Sequence, residues 1–399
     1  MACGRSPSPR PEPAAQVAAR IPDASVDALA PGARVAADSP LHVAVTHAVV
    51  REDAQMSPWL DVCPVRGAVF LCGERAVYVQ RDGVTVRDTT LEAGLAHDST
   101  GLFNLIAVYG RWPDNAWLVA TDVSQPPPFE TTIYRWIGSR WRVAVPGHRS
   151  MRSFAVVPWG ATGALLVEEA FDPGPNRATA GLGAQTGRSI PDVEAVAPFN
   201  DSVLAVVRGP HGRTKTRSLQ LWPASGASLP PIPLLAGAEA DAEVYILGIT
   251  TVRESEIVLY GGHMDDGRGG REGTKEPYLA RFDGKSLTPL IAPPGAVVTS
   301  YVEEPSGIAW ALSTRTADDV RSTAWRREVG GPWSAVALPM PYRPSSLTRT
   351  DDGAVWMLAF GPVTLIEGHE ITGINAALFS THAPANVLAL GEQPGSERR

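Results

Sequence analysis

The sequence predicts an all-β chain, a seven-bladed β-propeller of four-stranded blades with a disordered N-terminal tail. Three observations predict it. A tight turn followed by an apolar run recurs seven times along the chain. A second strand-like segment follows most of these runs. Glycine (38) and proline (36) are frequent, yet 44% of the 399 residues are hydrophobic and only 19% charged, the balance of a packed domain built from short elements.

The runs carry the argument. They are RGAVFLC from Arg66, DNAWLVA from Asp114, TGALLVE from Thr162, DSVLAVV from Asp201, SEIVLYG from Ser255, SGIAWAL from Ser306 and DGAVWML from Asp352. The residues just before them (Gly67, Asn115, Gly163, Ser202, Glu256, Gly307 and Gly353) lie 39 to 54 apart. Four short strands per unit of roughly 40–50 residues is the signature of a propeller blade. A strand covered by neighbouring blades on both faces should be apolar at successive positions, as Ala116–Ala120 are, rather than alternating.

The other strands follow from the same frame. Third-strand segments are RAVYVQRDG, TIYRWIGSRW, SLQLWPASG, YLARFDGKS, TAWRREVGG and, for the last copy, VTLIEGHE from Val363. The third copy's partner is degenerate and expected within Ala178–Ser189. First strands are read in FNLIAVYG, SFAVVPW, EVYILGI and SSLTRT. LHVAVTHAVV from Leu41, or NVLALGE near the C-terminus, is expected to close the ring. The expected organisation is a Pro/Ser/Ala-rich tail or tether over 1–38, one propeller over 39–391 and a disordered C-terminus over 392–399.

Several resemblances follow from quoted residues. EIVLYGGH followed by Tyr278 resembles one kelch repeat, and DDGAVW, Asp351–Trp356, resembles the Asp-x-Gly-x-x-Trp part of an Asp-box, with Arg349 where a serine is expected. Both motifs imply a propeller and are structural in the families that carry them. Ala2-Cys3-Gly4 with the following Pro/Ser segment resembles the start of a mature bacterial lipoprotein, although no hydrophobic signal segment precedes it. That resemblance implies lipidation at Cys3 and an address in the cell envelope or periplasm; with Met1 as the true start the address would be cytoplasmic. ARIP, Ala19–Pro22, lacks the aromatic residue of the sialidase motif it resembles and is read as a chance match.

Composition narrows the function. The net charge is −7 and the only lysines are Lys215, Lys275 and Lys285, so no basic stripe for nucleic acid is present. No apolar run reaches the roughly 18 residues of a membrane helix. The cysteines are Cys3, Cys63 and Cys72, without a Cys-x-x-Cys pair, so no metal site is expected. A turn at Gly67-Ala68 would set Cys63 opposite Cys72 and allow a disulfide; two small thiols buried apart is the other reading. No nucleophile elbow, phosphate loop or paired-histidine motif occurs, so neither a catalytic residue nor a cofactor is assigned.

Loop length points to a binding face. The connections between second and third strands are long (TDVSQPPPFET, EAFDPGPNR, RGPHGRTKTR, GGHMDDGRGGREGTKEP and STRTADDVRS), whereas the other turns are tight. Strands alternate in direction, so all five should emerge on one rim, and long insertions on one face commonly mark a binding face. Candidate ligand-binding residues there are Phe129, Arg177, Arg213, His263, Asp265, Asp266, Arg271, Arg315, Asp318 and Asp319. Arginines suit carboxylates, aspartates offer oxygens and Phe129 offers a stacking face. The expectation is a monomeric, non-enzymatic binding or scaffold module recognising protein, peptide or glycan, with any membrane contact made only through lipid on Cys3. The alternative is a carbohydrate-active enzyme, a glycoside hydrolase or lyase, on the same fold.

Overall fold

The computed structural model describes residues 40–48, 59–65, 68–73, 77–81, 84–87, 90, 104–111, 115–122, 129–150, 152–159, 163–170, 176–182, 189–209, 217–223, 228–235, 243–264, 274–315, 322–338, 342–350, 352–366, 370–382 and 388–390. Every regular element among them is a β-strand. The first described strand is β1 (His42–Ala48), whose partners come from the far end of the sequence. One sheet holds β2 (Trp59–Val65), β3 (Ala68–Gly73), β4 (Val77–Arg81) and β5 (Val84–Arg87). The next holds β6 (Asn104–Arg111), β7 (Asn115–Asp122), β8 (Phe129–Ile137) and β9 (Arg140–Ser150). A seven-stranded sheet follows, with β10 (Arg152–Trp159), β11 (Gly163–Ala170), β12 (Asn176–Leu182), β13 (Ser189–Asn200), β14 (Val203–Arg208), β15 (Ser218–Pro223) and β16 (Ile232–Pro233). Then come β17 (Glu243–Arg253), β18 (Glu256–Met264), β19 (Thr274–Phe282) and β20 (Leu287–Pro289), and β21 (Val297–Glu303), β22 (Ala309–Thr314), β23 (Ser322–Arg327) and β24 (Trp333–Ala335). The last sheet runs β25 (Arg343–Arg349), β26 (Val355–Ile366), β27 (Glu370–Ser380), β1 and β28 (Leu388–Leu390).

The seven apolar runs are β3, β7, β11, β14, β18, β22 and β26, each the second strand of an antiparallel array. Where side chains are described, alternate residues of these strands pack against opposite neighbours. Leu204 and Val206 of β14 pack with Leu165 and Val167 of β11, while Ala205 and Val207 pack with Ile257 and Leu259 of β18. Val258 of β18 then meets Ala309 and Ala311 of β22, and Trp310 and Leu312 meet Val355 and Met357 of β26. That double covering explains why the runs do not alternate with polar residues. The first strands are neighbours in the order β2, β6, β10, β13, β17, β21 and β25, and β25 returns to β2. Sheets set radially around a closed ring of first strands make a β-propeller.

The N-terminal strand closes the ring. β1 pairs antiparallel with β27, and β28 adds parallel to the outside of β1. Leu41, immediately before β1, is 1% exposed and packs with Trp310, Leu347, Met357 and Phe379.

Three details differ from the sequence expectation. The hydrogen bonding gives five sheets of four or five strands and one of seven, rather than seven separate four-stranded sheets. The cause is β13, which pairs with β12 up to Val193 and with β14 from Val193 onward, so one strand serves two arrays with no connecting loop. Asp192 marks the change, with φ 60°, a buried side chain, an ion pair to Arg208 at 3.3 Å, and its carbonyl accepting from Gly209 N–H. Aspartate tolerates that left-handed conformation better than most residues. The third copy's partner strand starts at Asn176, not Ala178. VTLIEGHE is no third strand: β26 continues through Val363–Ile366 after a bulge between Phe360 and Val363, and β27 is its partner. A bulge absorbs Gly361-Pro362 without ending the strand.

Candidate functional site

The first strands enclose a cavity of about 570 Å³. Its lining comes chiefly from the C-terminal parts of β6, β10, β13, β17, β21 and β25 (Val108–Gly110, Val156–Pro158, Val196–Pro198, Ile249–Thr251, Thr299, Ser300, Val302 and Glu303, and Ser345–Arg349), with Tyr260 from β18. Six first strands therefore run in the same direction along the channel. Their turns into the second strands lie at the cavity end, and the connections from second to third strands leave from the opposite end.

Backbone chemistry dictates much of the lining. In these parts each first strand has a strand neighbour on one edge only, so the inner edge carries N–H and C=O groups that need partners. Side chains supply several. Thr251 Oγ1 donates to Pro198 O of the preceding first strand at 2.6 Å, and Thr250 Oγ1 donates to Tyr301 O of the following one at 2.9 Å. Ser300 Oγ bonds Leu347 O and accepts from Leu347 N at 3.4 and 3.3 Å. Arg349 donates to Val252 O at 3.1 Å and to Glu303 O, joining the ends of β17, β21 and β25.

A charged network backs this end of the channel. Glu303, 5% exposed, is the one carboxylate lining the cavity among the described residues. It pairs with Arg281 and accepts from Tyr301 Oη at 3.3 Å; Arg253 lies 3.9 Å away. Arg281 also pairs with Glu256 at 2.8 Å. Burial works against the Arg281 charge, but Glu303, then Tyr301 and Glu256, outweigh it and hold the guanidinium above its ordinary pKa. Burial first, and the Glu303 carboxylate second, push the Tyr301 phenol up to about 12.

The turns at the cavity end share a device that the sequence runs conceal. In two turns a second-strand tryptophan donates its indole N–H to the residue that organises the turn, Trp310 to Glu304 at 2.7 Å and Trp356 to Thr350 at 3.3 Å, and Trp117 donates likewise to Asn115 at the start of its own strand at 2.7 Å. Arg135 lies over Trp117 and Arg326 over Trp310, each from the paired position on the third strand. Adjacent turns interlock. Ser255 N–H donates to Phe199 O at 3.0 Å, and a Cβ on Gly353, at φ 89°, would lie 2.8 Å from Pro305. Asp352, not Asp351, receives Ala354 N–H in the last such turn, and Asp351 lies outside the described residues.

The residues expected to bind ligand fall at the other end. Phe129 opens β8, Arg177 is the second residue of β12, His263 is the penultimate residue of β18 and Arg315 directly follows β22. Phe129, Arg177 and His263 thus belong to strands rather than to the connections. All four sit where second strands end or third strands begin, on four different arrays around the ring. The His263 ring meets Tyr278 edge-on at 5.4 Å between centroids, and Arg315 is exposed. Arg213, Asp265, Asp266, Arg271, Asp318, Asp319 and Cys3 lie outside the described residues. Cys63 and Cys72 are not opposite each other: Val65 pairs with Ala68, so Cys63 faces Phe70 and Cys72 faces Asp61.

No family model matches the chain, and no curated protein matches its sequence. Solved structures similar to it include the tricorn protease (11% identity over 79% of this chain and 30% of that one, TM-score 0.35). Another is the fungal lectin of Aleuria aurantia, a six-bladed β-propeller with a fucose recognition mode (13% identity, 77% and 98%, TM-score 0.40). A third is an ancestral GH74 enzyme (11% identity, 81% and 47%, TM-score 0.46). The chain thus spans less than a third of the protease and under half of the GH74 enzyme. The likeness is at the level of the propeller fold.

Proposed function

We propose that the protein is a non-enzymatic binding or scaffold propeller of the bacterial cell envelope, recognising a protein, peptide or glycan on the rim where its long connections emerge. The observation that carries this reading is the common direction of the first strands, since it sends all five long connections to one end. The placement of Phe129, Arg177, His263 and Arg315 at that end adds to it. So does the state of Glu303, whose Oε2 is engaged by Arg281 and Tyr301 while Arg253 lies 3.9 Å from Oε1.

The same proposal takes the ring as seven blades. β13 is then the outer strand of one blade up to Asp192 and the first strand of the next beyond it. Face-to-face packing of Leu165 and Val167 on Leu204 and Val206 supports that division. A crystal structure with fewer than seven radial units would remove the count. Lipid on Cys3 would tether the domain; incorporation of a palmitate analogue that persists in Cys3→Ser would remove the tether.

Glycan and peptide arrays probed with the full chain and with Asp265→Ala/Asp266→Ala test the binding reading. Saturable binding without turnover, weakened in the variant, supports it. Turnover of a glycan that the variant cannot perform would replace it with a carbohydrate-active enzyme. Binding to nothing on either array would end it.

A further inference from the structure

We propose that the channel cavity is a second site, separate from the rim, for a small neutral polyol of pyranose size. Its volume of about 570 Å³ lies within the roughly 300–1,000 Å³ typical of small-molecule sites.

The two arcs of the wall differ in chemistry. Consecutive strands β6, β10 and β13 present Tyr109, Val157 and Val196, with Val108, Val156 and Ala197 buried behind them. Consecutive strands β17, β21 and β25 present Thr250, Thr251, Thr299, Ser300, Ser345 and Thr348. A ligand lying against both arcs must offer one apolar face and one polar edge. A pyranose ring does both, with axial C–H groups on a face and hydroxyls around its rim.

Proton bookkeeping on the polar arc narrows the choice. A hydroxyl has one proton and two lone pairs. Thr250, Thr251, Thr299 and Ser300 are each bonded to a backbone carbonyl, which takes that proton. What they have left for a ligand is acceptor capacity, so a ligand carrying several O–H donors is favoured.

The charge at the wall argues for neutrality. Among the described residues, Glu303 and Arg349 are the ionised groups in the lining, one of each sign. Glu303 is engaged by Arg281, and Arg349 is committed to two backbone carbonyls. The two charges are of opposite sign, so these groups taken together favour neither a cation nor an anion.

Ligand-observed NMR on the full chain tests the site with methyl β-glucopyranoside, methyl β-galactopyranoside and methyl α-mannopyranoside. At least one should bind saturably with a Kd of about millimolar order, as expected for a ligand of this size. Thr299→Val, which keeps the shape and removes the hydroxyl, should weaken binding about five- to tenfold. Ser345→Trp, at an exposed position on the lining, should abolish it while the thermal transition stays in place. Arg315→Ala, at the rim, should leave it unchanged, so failure of the rim reading and failure of this one remain distinguishable. The inference is overturned if none of the three sugars binds the folded wild type, or if binding survives Ser345→Trp. Tighter binding of tetramethylammonium than of every sugar would overturn it too.

Discussion

Replacing Leu41 with alanine should loosen the ring at its seam. Leu41 is 1% exposed and joins the N-terminal closing strand to a cluster formed by the last two sheets. The substitution removes three buried carbons, which at ~0.8 kcal/mol each amounts to about 2.4 kcal/mol of transfer free energy. The void left beside Trp310, Met357 and Phe379 adds to that at ~24 cal/mol per Å³, so a residual void of about 40 Å³ brings the total to about 3.4 kcal/mol. Urea unfolding should show the loss as a lower midpoint with an unchanged slope. Amide exchange should localise it to the pairing of β1 with Asn375–Ser380. Ile291→Ala serves as the control, because Ile291 is 73% exposed and surface changes of this kind stay within about 0.5 kcal/mol. A loss under about 1 kcal/mol for Leu41→Ala, or unaltered exchange along β27, would refute closure by the N-terminal strand.

Two further outcomes follow from the charged network. Arg281→Met strands the buried Glu303 carboxylate and should cost about 3–5 kcal/mol, much of it recovered in Arg281→Met/Glu303→Leu; equal stability of the single and double variants by chemical denaturation would show the two groups to be uncoupled. Tyr301 should make the protein labile to alkali. An unfolded tyrosine loses its proton near pH ~10, whereas the folded phenol holds it to about pH 12, so stability is intact below pH ~10 and falls as pH rises toward 12. The full span corresponds to about 2–3 kcal/mol. Tyr301→Phe should flatten that fall without erasing it, because burial also raises the Tyr278 phenol; an unchanged alkaline slope would sink the assignment.

The second strands were legible in the sequence because both of their faces are buried. Ala116–Ala120 cannot be read as a half-solvated strand, and at 0–4% exposure they are not one. The seam was legible as a choice between Leu41 and NVLALGE, and both contribute, in the order β1 then β28. The fused sheet was not legible. Its cause is a single left-handed aspartate inside Ser189–Asn200, and no residue pattern separates a kink from a continuing strand. The cysteine register failed for a similar reason: moving a two-residue turn by one position moves every cross-strand partner by two.

The channel wall was hidden for a different reason. Hydroxyls in EVYILGITTVR, VVTSYVE and RPSSLTR look like ordinary strand threonines and serines until the topology shows each first strand with an open inner edge. There a threonine hydroxyl can bond the carbonyl of the next first strand, as Thr250 and Thr251 do in opposite directions around the ring. The same interlocking explains why turns at this end are short. Ser255 bonds Phe199 and Asn200 across the sheet boundary, and Gly353 has no room for a Cβ beside Pro305, so an inserted residue would break contacts between sheets. A lengthened connection at the opposite end adds only the slowly growing entropy of a longer loop. Stability therefore leaves one rim free to vary in length, which is where a binding face can be built without loss to the ring, and the rim's side chains must carry its specificity.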